Sequence, residues 1–277
     1  MAACLFIGQA SYGGTPSAAP DPPARLKPKT LEAFERYVRL TEERNEDELK
    51  RGEVFLLPDR RPEGERAAAY ARIRGGGVAI ERLQTRDAGK TIECPGGLIH
   101  HWAGVIFIPE ATLDETLQIL EDYDHHAEYY APDVQRSKIL SHQGEEFRVF
   151  LRFRRKKVIA VVLNTEHEVH YSRMDPTHAA SRSSAIRIAE VENAGMDDER
   201  EKTPGDDGGY LWRMETWWRM LERDGGTYVQ CEAVSLTRDI PVGLGWLVGP
   251  FVNSIPRESL TFTLTATREA AEKLHVK

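Results

Sequence analysis

A carboxylate set within an apolar, alternating run is a group that can move a proton, and Glu232 is such a group. It lies in TYVQCEAVSLT, where Tyr228, Gln230, Glu232, Val234 and Leu236 share one strand face, opposite Val229, Cys231, Ala233 and Ser235. If that face lines a pocket, Glu232 can accept a proton or a ligand's hydrogen bond, and burial then demands a partner or a raised pKa. Arg152 in FRVFLRFRRKK and Tyr171 in EHEVHYSRM are the candidate partners, a fixed cation and a phenol. A slip of one residue in register turns either away, so alternation leaves their direction open.

The apolar counterpart is YLWRMETWWRML. Trp212, Met214, Thr216, Trp218 and Met220 share one face, and Arg213, Glu215, Trp217, Arg219 and Leu221 the other. Two Trp and two Met offer broad, adaptable contact suited to a hydrophobic or amphipathic ligand. The same side chains also fill closed cores, so the pattern serves either role.

Other groups carry less. His100 and His101 are adjacent and point to opposite sides of a strand, His125 and His126 diverge on a helix, and His167, His170 and His178 complete no metal-binding spacing. Gly75, Gly76 and Gly77 lack the following Gly-Lys-Ser/Thr of a phosphate loop and read as a turn. Cys4, Cys94 and Cys231 form no CxxC pair, and Cys231 reads as a buried small hydrophobe. No motif calls for a cofactor or a metal. The basic run Arg152, Arg154, Arg155, Lys156 and Lys157 solvates a strand end, with peripheral contact to an anionic membrane as its functional alternative.

The whole chain bounds these options. With 277 residues it can hold one large domain or a core domain with an extension. A net charge of -7, from 37 basic and 44 acidic residues, supplies no general field toward phosphate backbones, so nucleic acid is not an expected partner. MAACLFIGQAS has the short apolar centre of a signal remnant but no basic flank, which leaves cytoplasmic and exported locations both open.

The elements that must position the candidates follow from periodicity. Residues 1–29 read as a flexible tail or signal remnant, with Pro16, Pro20, Pro22, Pro23 and Pro28 favouring extended backbone. Residues 30–96 read as an extension: an amphipathic helix from Thr30 to Lys50 stopped near Gly52, an extended EVFLLPD arm, and a small β element over residues 53–94 in which Val78–Leu83 pairs with Thr91–Glu93. From Leu98 a first strand ends at Pro109, Thr112 and Glu115 form a capping box, and two short helices follow. Long strands then alternate over residues 137–141, 146–157, 158–174, 178–192, 210–223 and 227–237 without helix-length connections, so neighbours should pair antiparallel. Asn193–Gly209 reads as a polar, mobile insertion.

The closing segment is ambiguous. TFTLTAT alternates like a strand, yet Leu260, Leu264, Thr267, Ala271 and Leu274 line one helical face, and Pro256 fits a first turn after Ser254. The longer period favours a helix.

A strand, two short helices, a run of antiparallel strands and a long last helix, ending in YVQCEAVSLTRDIPVGLGWLVGPFVNSIPRESLTFTLTATREA, resemble the START-like, helix-grip superfamily of lipid-transfer, Bet v-type and polyketide cyclase/dehydrase-like domains, and in particular its uncharacterised bacterial members. The resemblance covers residues 97–277 as a domain. It implies an α+β fold in which a curved antiparallel sheet wraps the last helix, with Leu260 and Leu264 on the wall of a cavity between them. Binding or transport of a hydrophobic or amphipathic small molecule is the implied function. A cyclase- or dehydratase-like enzyme in the same cavity, and a structural or protein-interaction domain carried by residues 30–94, are the alternatives.

Overall fold

The protein is represented by a computed structural model that describes residues 24–156, 160–239 and 245–275. The expected tail through residue 23 with Cys4, Lys157 of the basic run, and the turn at Pro241 and Gly243 lie outside the described residues.

The long alternating segments become β5 (Gly97–Pro109), β6 (Val134–Gln143), β7 (Glu146–Lys156), β8 (Ala160–Arg173), β9 (His178–Glu192), β12 (Arg213–Glu222) and β13 (Gly226–Arg238). Tight turns or short connections join most of them, so consecutive strands pair antiparallel. Together with β2 (Ala79–Arg82) the spatial order is β2-β5-β13-β12-β9-β8-β7-β6, and β10 (Arg200–Glu201) adds to β9, making nine strands. Between β5 and β6 lie α3 (Leu113–Glu121), a 3-10 turn at Tyr123–His125 and α4 (His126–Tyr129). Thr112 caps α3 as its spacing predicts: the Glu115 amide donates to its hydroxyl at 3.2 Å, and Glu115 accepts from the Thr112 amide at 2.8 Å.

The last element is a helix, α5 (Gly245–His275). It begins well before the expected start, so Pro256 lies inside it and not in its first turn. The threonines of TFTLTAT are accommodated by back-bonding: Thr261 donates to the Arg257 carbonyl at 2.8 Å and Thr267 to that of Thr263 at 2.9 Å. Leu260, Leu264, Ala270 and Ala271 then bury one stripe against Ile106, Val229, Cys231 and Met220. The architecture is α+β, an antiparallel sheet gripping a long C-terminal helix.

Seating α5 requires Gly104. A Cβ there would lie 2.5 Å from both Leu264 Cδ1 and Ile80 Cδ1, and Leu264 is fully buried. Gly104→Val is therefore expected to cost about 2–3 kcal/mol by overpacking. Urea unfolding measures it, and wild-type stability would mean that α5 does not sit this close.

The opposite, outer face of the sheet is covered as well. Helix α1 (Pro28–Arg51), ended by Gly52 in the left-handed region at φ 68°, packs Phe34, Tyr37 and Val38 on Trp212, Trp217, Val234 and Leu236. Helix α2 (Glu63–Arg74) and the preceding turn pack Tyr70, Ile73, Leu56 and Leu57 on Ala103, Val105, Phe107 and Tyr228. The result is three layers, helix on sheet on helix.

Three local expectations change. EVFLLPD runs into a 3-10 turn at Leu57–Arg60, because the Asp59 carboxylate accepts from the Phe55 and Leu56 amides at 3.0 and 2.8 Å. β2 pairs with β5 in the main sheet, while Thr91 pairs with Arg86 in a separate hairpin of β3 (Arg86–Asp87) and β4 (Lys90–Thr91). The insertion over 193–209 is folded: β10 extends β9, and β11 (Asp206–Asp207) pairs with β1 (Ala24–Arg25). Its charges find partners on the sheet, which a reading of composition alone does not see.

Candidate functional site: the inner face of the sheet

Cross-strand partners share a face, so the contact of Gly104 with Leu264 identifies the inner side of every strand. The row through Gly104 continues Cys231, Trp218, Ser181 and Tyr171. The neighbouring row runs Trp102, Ala233, Thr216, Ser183 and Val169, and the next His100, Ser235, Met214, with Ala185 opposite His167 on β8. Trp102, Ala233, Thr216 and Ser183 are all half-buried although they lie on central strands, while their outer-face neighbours Ala103, Glu232, Val234 and Trp217 are buried. The central inner row thus keeps partial exposure that the outer-face residues named beside it do not.

This inner surface is apolar with a few neutral polar groups. Trp102 and Trp218 pack against the main core, and Met214 against Leu163, Ala185 and Ile188. His167 Nε2 lies 2.9 Å from Thr165 Oγ1, and its Nδ1 lies 3.3 Å from Ser183 Oγ. Burial pushes the His167 imidazole down to about 4, so it is neutral at pH 7. The inner rows through His100, Trp102 and Gly104 carry no Asp, Glu, Lys or Arg on β13, β12, β9 and β8, while on β2 Arg82 stands opposite Trp102.

Of the residues singled out from the sequence, the inner face holds Tyr171, Met214, Trp218 and Met220, and Leu260 and Leu264 of α5 pack in the same core. Tyr171 is committed: its hydroxyl donates to the Leu120 carbonyl at 3.0 Å and lies 2.9 Å from the Tyr123 hydroxyl. Burial raises its pKa far above the usual phenol value, which makes it a poor base. Its ring also borders a depression of about 440 Å³ with Leu117, Glu121, Phe147 and Ala179, between α3 and the β6–β7 turn.

Arg152, Trp212 and Glu232 are on the outer face. Arg152 forms a bidentate pair with Glu199 of the insertion at 2.8 and 2.9 Å. Arg154 of the same basic run is exposed, and Arg155 pairs with Asp133 and Ser259. Trp212 precedes β12, so strand alternation does not govern it; it joins the α1 cluster and donates Nε1–H to Asp207 at 3.0 Å.

Glu232 lies under α1. It pairs with Arg44, accepts from His101 Nε2 at 2.8 Å, and has Arg60 at 3.8 Å. His101 Nδ1 in turn faces the Tyr37 hydroxyl at 2.9 Å. Burial alone would raise the Glu232 pKa, but the His101 bond and the Arg44 and Arg60 charges outweigh it and hold the carboxyl at about 2. Beside it, Arg219 donates to Glu48 at 3.0 Å, to Asn45 Oδ1 at 2.7 Å and to the Phe55 carbonyl at 2.9 Å. The three ionisable candidates are thus separated, with Tyr171 inside and Arg152 and Glu232 outside.

Trp102, Thr165, His167, Ser183 and Thr216 are the inner residues that the initial selection of candidates omitted. Their alternation with outward-facing neighbours was visible, but only the pairing of β5, β8, β9, β12 and β13 brings them together.

Neither a family model nor a curated protein matches the sequence. Among solved structures the chain is similar to a STAR-related lipid transfer protein from Xanthomonas axonopodis, at 17% sequence identity over 69% of this chain and 98% of that one, with a TM-score of 0.44. It is also similar to the Zhui aromatase/cyclase from Streptomyces sp. R1128, at 15% identity over 64% and 95% of the two chains and a TM-score of 0.39. A third is human STARD10, at 7% identity over 77% and 82%, with a TM-score of 0.42.

Proposed function

We propose that the protein binds a hydrophobic or amphipathic small molecule between the inner face of the sheet and α5. The observation that carries this reading is the half-buried row Trp102, Ala233, Thr216 and Ser183 on the sheet face against which α5 packs. Apolar surface kept partly wet is costly in the free protein, at about 25 cal/mol per Å², and a ligand recovers that energy on covering it. Trp218 and Met214, also half-buried, extend the surface on either side of the row. Binding is favoured over cyclase- or dehydratase-like chemistry because Glu232 and Arg152 face away from this space and Tyr171 is tied to Leu120.

Native mass spectrometry and organic extraction of the purified protein test the proposal. Expected is a stoichiometric organic adduct, or uptake of an added apolar fluorophore that Trp102→Ala with Trp218→Ala weakens about tenfold or more. A protein that carries nothing and takes up nothing would end this reading.

A further inference from the structure

The polar groups of the inner face have a direction. The Leu151 carbonyl can only accept, so the Thr165 hydroxyl, 3.0 Å away, donates its one proton there. Thr165 Oγ1 can then only accept from His167 Nε2, which must carry the imidazole proton. A neutral imidazole with Nε2–H has a bare Nδ1, and the Ser183 hydroxyl therefore donates to it. The relay Ser183 to His167 to Thr165 to Leu151 consumes every proton it has. Ser183 Oγ, half-buried on the inner face, is left with lone pairs alone.

Thr216 stands opposite Ser183 in register, also half-buried, and its hydroxyl has no hydrogen bond among the described residues. It is free to donate. Side by side, an acceptor-only oxygen and a free hydroxyl match a group that gives one hydrogen bond and takes one. An ether or ester satisfies Thr216 but meets the lone pairs of Ser183. A carboxylate or phosphate does the same, and must also give up its hydration at a point where the cation of that row, Arg82 opposite Trp102, lies three strands away from Thr216.

We infer that the ligand of this space is an uncharged molecule that presents a hydroxyl, phenolic or N–H group to Ser183 and Thr216, with its apolar body on Trp102, Trp218 and Met214. The inference rests on the binding function proposed above and names the chemistry of its ligand.

Three probes of one ring system separate the possibilities in calorimetric titrations of the full chain: 2-naphthol, 2-methoxynaphthalene and 2-naphthoate. Expected is 2-naphthol binding about 5–10-fold more tightly than its methyl ether, with the anion weakest. Ser183→Ala should bring the affinities for 2-naphthol and the ether together, while Ser183→Thr keeps the preference. Thr165→Val frees His167 to adopt the other tautomer and donate to Ser183, whose own proton can then serve an ether oxygen. In that variant the ether should gain several-fold, a change that mere loss of packing does not produce.

Equal binding of 2-naphthol and the ether, tightest binding of the anion, or a 2-naphthol preference that survives Ser183→Ala overturns the inference and leaves the binding function standing. An ether affinity unchanged by Thr165→Val overturns the relay's direction and the inference with it. Failure of all three probes to bind overturns both.

Discussion

Lowering the pH from 7 to 5 is expected to remove on the order of 5 kcal/mol of folding stability, enough to unfold a domain of ordinary stability. The cause is a set of buried neutral histidines. Burial pushes His100, His126 and His167 down to about 4, assisted at His100 by the Arg82 charge. Burial lowers His101 too, against the pull of Glu232. In the unfolded chain each imidazole takes up a proton below about 6.5; in the folded protein it stays neutral until near 4. Protons therefore favour the unfolded state throughout that window. The stability is fully present above 6.5 and is lost as the pH falls. Each of the three contributes about 2 kcal/mol of loss by pH 5.

Urea unfolding at intervals from pH 7 to pH 5 measures the slope, and His126→Asn should reduce it by about one third of the three-histidine loss. A flat stability profile would show that these imidazoles are not buried as described. Glu232, held at about 2, adds nothing within this window, because a depressed carboxylate loses its contribution only as the pH falls below about 4.5 toward that value.

Glu232→Ala is expected to destabilise the protein by about 3–5 kcal/mol, the cost of removing one member of a buried charged set. The carboxylate is nearly inaccessible, whereas Arg44 and Arg60 are part-buried. Its loss strands two guanidinium groups and the His101 Nε2–H beneath α1. Because the partners are spread over α1, the Leu57–Arg60 turn and β5, the damage should be local in the first instance. Amide exchange in α1 should quicken markedly while the centre of α5 stays protected. Combining Glu232→Leu with Arg44→Met should cost less than Glu232→Leu alone, since a charge and its counter-charge leave together. A loss below about 1 kcal/mol for Glu232→Ala, or equal exchange in both helices, would deny the set this anchoring role.

That network also explains why the polar candidates were legible as residues but not as a site. Alternation in TYVQCEAVSLT correctly places Glu232 opposite Cys231, because side-chain direction in a strand is a local property. It does not say which side faces α5. In a sheet covered on one side the wetter face answers that question, but here α1 and α2 cover the outer face, so both faces carry buried residues. Arg44 reaches Glu232 from 188 positions away in sequence. Arg152 is likewise neutralised by Glu199, in an insertion whose composition alone suggested a mobile loop.

Local patterns carry the Thr112–Glu115 capping box, the Gly52 helix end, the run of antiparallel strands, and a last helix whose long apolar stripe outweighs the short alternation of TFTLTAT. Each depends on contacts a few residues apart, where backbone geometry and periodicity decide. Tertiary pairing places the N-terminal helices over the outer face, sets Trp212, Arg152 and Glu232 away from α5, and gathers Ser183, His167, Thr165 and Thr216 on the inner face. Those outcomes depend on register between strands distant in sequence and on which layer covers which face, and no local pattern encodes either.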